Sequence, residues 1–83
     1  MEIYVLTMKR EGSDLVNVGA FSTFEKAVNF ALEYVFEMAK PYGYELDQAS
    51  RSRIETTFRG EMKRLGSSVV HKRVYSIVKT KVV

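Results

Sequence analysis

The sequence predicts an α+β fold: a three-stranded antiparallel sheet with two helices on one face, in the order ββααβ. Segments rich in β-forming residues lie at 3–8, 15–21 and 74–82. Two helical patterns lie between the second and third of these segments. Helices on a single face of the sheet would bury the apolar side of every element. Eighty-three residues allow one domain, which we assign to 1–83.

The first two strands form a predicted hairpin across the polar segment 9–14. The run at 3–6, Ile-Tyr-Val-Leu, is apolar on both faces, which indicates a central strand covered on both sides. Gly19 in the second strand indicates a bulge or a close backbone approach. The last strand can pair antiparallel with either the second or the first strand, depending on how the second helix lies. We favour the first strand, because its pattern is that of a central strand.

The first helix is predicted to begin at a capping box formed by Ser22 and Glu25 and to end near Lys40, just before Pro41. Its apolar residues cover roughly 200° of the helical wheel, more than a one-sided surface helix needs. We therefore expect it to contact both the sheet and the second helix. Phe36 falls among the polar residues, out of reach of the sheet. The residues expected to face the sheet are Phe24, Ala31, Val35 and Met38.

The second helix is predicted to begin between Asp47 and Ser52, with a second candidate capping box formed by Ser52 and Glu55. It ends at Gly66. A narrow apolar seam runs along it through Ile54, Phe58, Met62 and Leu65. Gly60 lies in mid-helix, where glycine costs up to ~1 kcal/mol relative to alanine. A close helix crossing at Gly60 would explain that cost.

The net charge of +3 is divided unevenly along the chain. Residues 1–50 hold four Lys and Arg against eight Asp and Glu, whereas 51–83 hold nine against two. Such a division is typical of a basic half that binds an anionic partner. It also arises when the two halves attract each other within the fold.

Residue types that carry catalysis or bind metals are scarce. His71 is the single histidine, and Ser67 and Ser68 near it have no motif that supplies an orienting acid. The chain has no cysteine, no acidic cluster with ligand spacing and no glycine-rich phosphate loop. We expect no enzyme activity, no catalytic residue, no cofactor and no metal. No leader or membrane-length apolar run is visible, so we expect a cytoplasmic protein without a membrane partner.

Two surfaces are candidates for partner binding. The first is the outward arc of the second helix, which carries Arg53, Arg59, Lys63 and Arg64 with small residues between them. Small residues among basic ones let a phosphate backbone approach closely, although charged helix faces are often only solvated. The second combines three aromatic residues near the end of the first helix, Phe36, Tyr42 and Tyr44. Aromatic residues in a rigid turn anchor interfaces, but the tyrosines could equally fold back on the core.

Three segments carry a resemblance to known proteins. Ile-Tyr-Val-Leu-Thr at 3–7, Val-Gly-Ala-Phe-Ser-Thr-Phe-Glu-Lys-Ala at 18–27 and Val-Tyr-Ser-Ile-Val-Lys-Thr at 74–80 resemble a group of small proteins common in phage and prophage genomes. The resemblance covers about half of the chain and contains fold motifs without a catalytic residue. It implies the strand pairing favoured above and an accessory role on a host component. Residues 41–66 depart from the pattern, so we expect specificity to lie there.

These observations favour a non-enzymatic, phage-type accessory protein that binds and modulates or inhibits a host protein, for example one used in defence, through its helical face. The alternative is a nucleic-acid-binding regulator that uses the basic second helix. A domain this short has a small core, so a partner subunit would add stability and a homodimer is compatible with the sequence.

Overall fold

The computed structural model describes residues 1–40 and 47–81, and in these ranges it places four strands and two helices. In chain order they are β1 (Glu2–Arg10), β2 (Val16–Phe21), α1 (Phe24–Ala39), α2 (Gln48–Leu65), β3 (Ser67–Val70) and β4 (Arg73–Lys81). All strand pairs are antiparallel, in the sheet order β2-β1-β4-β3. The α+β class and the pairing of the last strand with the first are confirmed. The expected number of three strands is wrong.

The strand missing from the predicted sheet is β3, which forms a hairpin with β4. Val70 lies opposite Arg73, so His71 and Lys72 alone make the turn. Both have positive φ, 49° and 64°. Positive φ at both central residues is the geometry of a type I′ turn, which asparagine and glycine usually occupy. Histidine and lysine give no such signal, and the four-residue strand before them was therefore missed.

The irregularity expected near Gly19 is present. Leu6 lies opposite Gly19 and Thr7 opposite Asn17, so Val18 is an extra residue in β2. A Cβ at Gly19 would lie 3.1 Å from the Phe21 ring. Glycine here therefore leaves room for an aromatic side chain that packs against the core.

The core lies between the sheet and the two helices. It consists of Leu6, Met8, Tyr75 and Ile77 from the sheet, Ala27, Val28, Ala31, Leu32 and Val35 from α1, and Phe58 and Met62 from α2. The Tyr75 ring meets those of Phe58 and Tyr34 edge-on, with centroids 5.8 and 6.3 Å apart. Ala31 and Val35 are buried as expected, whereas Phe24 and Met38 are half-buried. In the predicted α2 seam, Ile54 is half-buried and Leu65 is exposed.

The start of α1 differs in detail from the prediction. Thr23, and not Ser22, caps α1: its Oγ1 accepts from the Lys26 amide at 3.1 Å. Ser22 Oγ instead accepts from Lys26 Nζ. Either hydroxyl could serve as a cap, and the sequence favoured the wrong one because Glu25 lies three residues after Ser22.

The second helix is capped by Asp47, whose Oδ1 accepts from the Ser50 amide at 2.7 Å. This lies within the predicted range for the start of α2 and puts Ser52 and Glu55 inside the helix, so the second capping box is wrong. Gly66 ends the helix as expected. Its φ of 73° is left-handed, and its N–H donates to the Met62 carbonyl at 2.9 Å.

No helix in the described part of the chain has the length and apolar character needed to cross a membrane.

Candidate functional site

The outward side of α2 carries a charged strip with small residues at its centre. Burial of Phe58 and Met62 orients the helix, so the opposite arc faces solvent. Five exposed residues on that arc, hereafter the α2 basic face, are Arg53, Thr56, Gly60, Lys63 and Arg64. Within residues 1–40 and 47–81, no acidic side chain forms an ion pair with the three cations of this face. Three of the four predicted basic residues are thus available to a partner.

The fourth, Arg59, has a structural role. Its guanidinium lies 3.1 Å from Glu55 Oε1 and 3.6 Å from Glu25 Oε2, and it donates to Asn29 Oδ1 at 2.7 Å. Glu25 and Asn29 belong to α1, so Arg59 links the two helices. Reversing the charge of Arg59 would therefore break contacts between α1 and α2.

The aromatic surface is only partly described. Phe36 is half-buried and packs against the core, and the Arg51 guanidinium lies 4.6 Å from its ring centroid, a cation–π contact. Phe36 therefore sits between α1 and α2 and is not brought together with the α2 basic face. Tyr42 and Tyr44 lie outside the described residues.

Gly60 is the unusual residue of the α2 basic face. A Cβ built on it would meet no atom within 4 Å, so the predicted helix crossing is wrong. Glycine inside an exposed helix costs up to ~1 kcal/mol relative to alanine. No contact within the described chain explains that cost. Because Gly60 has no side chain, the surface of α2 is flat between Thr56 and Lys63. The backbone of another molecule could come close there.

A groove of about 300 Å³ separates α2 from β3. Its apolar wall includes Ile54, Phe58 and Val70, and Arg53 and His71 also line it. Arg53 therefore belongs both to this groove and to the α2 basic face. The sequence could not indicate the groove, because β3 was not predicted.

The neighbouring helix carries the opposite charge on its surface. Glu25, Glu33 and Glu37 are exposed on α1, against Lys26 as the single cation between Phe24 and Ala39. The helical layer is thus divided into an acidic α1 side and a basic α2 side. A partner that covers the whole layer must present both signs of charge.

Ionisable groups with shifted pKa values lie away from the α2 basic face. The hydrogen bond from the Ser50 amide lowers the pKa of Asp47. The hydrogen bond to Glu2, 3.1 Å away, raises the pKa of Lys79. Burial raises the pKa of Tyr75 to about 12. Each shift has a structural cause, and none of them indicates a catalytic acid or base on the α2 basic face.

Comparison of the chain with models of protein families, with curated proteins and with solved structures finds no match. Among the residues that the structure describes, no three His, Asp or Glu side chains are placed to hold a metal ion together. The surface of the chain is therefore the basis for inferring its function.

Proposed function

We propose that this chain is a non-catalytic binding protein whose α2 basic face docks on an acidic surface of a partner protein. The observation that carries the proposal is Gly60. It weakens an exposed helix by up to ~1 kcal/mol, and no contact with the described residues offsets that cost. Close approach of a partner at this point would explain why the residue is glycine, because a side chain there would hold the two surfaces apart.

The charge around Gly60 defines the chemistry of the partner. Arg53 lies about two turns before Gly60, and Lys63 and Arg64 about one turn after it. Because cations lie on both sides of Gly60, they favour a partner whose surface carries an acidic patch as long as three turns of helix. Complementary charges of this kind speed association and select among partners more than they add affinity.

A protein partner suits the whole helical layer better than a nucleic acid does. Exposed Glu33 on α1 has no ion pair within the described residues and would repel a phosphate backbone that extended beyond α2, whereas Glu25 and Glu37 pair with Arg59 and Lys40. Affinity for nucleic acid grows with the number of phosphates neutralised, and only three cations are offered here. A protein surface can present acidic groups to α2 and basic groups to α1.

The resemblance to small phage proteins supports a further detail of the proposal, namely that the partner is a host protein that the chain modulates or inhibits. The α2 basic face lies within residues 41–66, where the sequence departs from the pattern of that group. Specificity for one partner would be expected in such a segment.

Affinity capture tests the proposal. We would immobilise the parent chain, an Arg53→Glu/Lys63→Glu variant and a Lys26→Glu/Lys40→Glu control, and expose each to nuclease-treated host lysate. The control makes the same change in net charge on or next to α1. We expect one or more proteins to be retained by the parent and by the control and lost by the α2 variant. Equal retention by all three would contradict the proposal.

A nucleic-acid-binding regulator is the second candidate, because Arg53, Lys63 and Arg64 of the α2 basic face flank small residues. Titration of duplex DNA at increasing salt separates the two. Binding to a phosphate backbone weakens along a log–log line with a slope near −0.9 per contact. A steep slope that becomes shallower in the Arg53→Glu/Lys63→Glu variant would favour the regulator. The proposed function predicts no DNA binding at physiological salt.

A further inference from the structure

The sheet has a face that no described element covers. Both helices pack against the side that carries Leu6, Tyr75 and Ile77. Residues directly opposite each other in antiparallel strands share a face. Val5 pairs with Val78, and Val74 with Val69, all on the side away from the helices. We call this surface the open sheet face; the registers place on it Ile3, Val5, Thr7, Ser67, Val69, Val74, Ser76, Val78 and Thr80.

The open sheet face combines exposed valines with serine and threonine, and it is accessible. Val69, Val74 and Val78 are 62, 39 and 55% exposed, and Val5 beside them is half-buried. These valines belong to three adjacent strands, β1, β4 and β3, and lie in two rows on either side of Thr7, Ser76 and Ser67. Exposed apolar side chains grouped in this way on a small domain are typical of an interaction site.

The sequence pattern of β1 points the same way. Its apolar run at 3–6 is typical of a strand covered on both faces. The helices cover one face only, and Ile3 and Val5 on the other face stay half-exposed. The apolar pattern therefore indicates a second layer on the uncovered face of β1. No described element of this chain supplies that layer, so another molecule would have to supply it.

The charge of the open sheet face limits which kinds of molecule can bind to it. Lys9, near the end of β1 and opposite Val74, is the one charged side chain on this side of the described strands. The centre of the face is neutral, so it has no charge that could attract a nucleic acid or a strongly charged protein. Two copies of the same neutral face can meet about a two-fold axis without opposing like charges at the centre.

The available area is enough for a weak dimer. With strands ~4.8 Å apart and ~3.4 Å per residue, the four strands span about 450 Å² in projection. Two copies that use all four strands would together bury about 900 Å² before pleating is counted, which is below the ~1,000–1,200 Å² where stable specific interfaces begin. Association should therefore be reversible.

We propose that a second copy of this chain covers the open sheet face, so that two sheets stack in a symmetric sandwich. Stacked sheets lie ~10 Å apart, a distance that valine, serine and threonine side chains can fill. The α2 basic faces then point outward on opposite sides of the dimer. The dimer presents two partner-binding surfaces at once, which raises avidity for a partner with repeated sites. The dimer does not depend on the proposed function of α2.

Sedimentation velocity over micromolar to millimolar concentration tests the dimer. We expect the parent to move from monomer to dimer, and a Val78→Lys variant to stay monomeric because its two lysines would meet at the interface centre. Leu15→Lys is the matched control: Leu15 is 64% exposed and lies outside the strands, so this variant should dimerise like the parent.

Val78→Thr is a second variant for the case in which Val78→Lys does not fold. Threonine keeps the branched shape and the strand preference of valine. We expect it to fold like the parent and to weaken dimerisation about tenfold, because the threonine hydroxyls would be buried at the interface without partners. The proposal is overturned if the parent is monomeric at every concentration. It is also overturned if folded Val78→Lys and Val78→Thr dimerise as tightly as the parent.

Discussion

Replacing Gly60 with alanine should stabilise the chain. Alanine is favoured over glycine by ~0.8–1.0 kcal/mol in a helix interior, because glycine loses more backbone freedom on folding. The new Cβ would meet nothing within 4 Å, so no steric term offsets this gain. The expected increase in the free energy of unfolding is therefore ~1 kcal/mol. For a domain of this size it corresponds to a rise of ~4–8 °C in Tm.

The same substitution at Gly66 provides a matched control of opposite sign. Gly66 has a φ of 73°, which costs a residue with a Cβ ~1–2 kcal/mol. Its Cβ would lie 3.7 Å from the Ile77 carbonyl oxygen, an ordinary contact, so backbone strain is the main term. Gly66→Ala should lower Tm while Gly60→Ala raises it.

Calorimetry or circular dichroism melts of the parent and of the two variants would measure both shifts. If Gly60→Ala lowers Tm, Gly60 is either packed or non-helical, and the reasoning about the α2 basic face fails. If Gly66→Ala leaves Tm unchanged, then Gly66 does not have the left-handed conformation that ends α2.

Three further predictions concern the framework around this face. Thr23→Ala should cost on the order of 1 kcal/mol and Ser22→Ala almost nothing, and denaturant titration showing the reverse order would move the start of α1. Arg59→Met should cost about 1–2 kcal/mol through the lost α1–α2 contacts, and an unchanged unfolding midpoint would show that these surface bonds contribute nothing. Burial raises the pKa of Tyr75 to about 12, so the unfolded chain ionises first and stability falls between about pH 10 and 12. Urea midpoints across this range should fall less for Tyr75→Phe than for the parent.

Features with strong local signals were predictable from the sequence. The apolar run of β1 placed it at the centre of the sheet, where it lies between β2 and β4. Pro41 placed the end of α1, and Gly66 the end of α2. Pro41 and Gly66 each restrict the backbone locally, so no tertiary information was needed for these two helix ends.

Features set by tertiary contacts were not predictable. Strand β3 is four residues long, and its turn uses His71 and Lys72 in place of residues that favour positive φ. Pairing with β4, and not local preference, holds this hairpin. The groove beside β3 and the open sheet face depend on which strands are neighbours, which periodicity does not encode.

The candidate site was predicted in part. Periodicity alone placed Arg53, Lys63 and Arg64 on the exposed arc of α2. It could not show that Arg59, at the border of that arc, is held by Glu25 of α1. The signal for Gly60 was visible in the sequence, but its interpretation as a helix crossing required a neighbour that the structure does not place there.

The most direct test of the central claim, that a partner approaches α2 closely at Gly60, is calorimetric titration of a captured partner with the parent and with Gly60→Ala. Overpacking a close interface typically costs ~1–3 kcal/mol, so we expect the alanine variant to bind at least about five-fold more weakly although it is more stable. Misfolding cannot explain that combination. A variant with higher Tm and an unchanged Kd would contradict the claim.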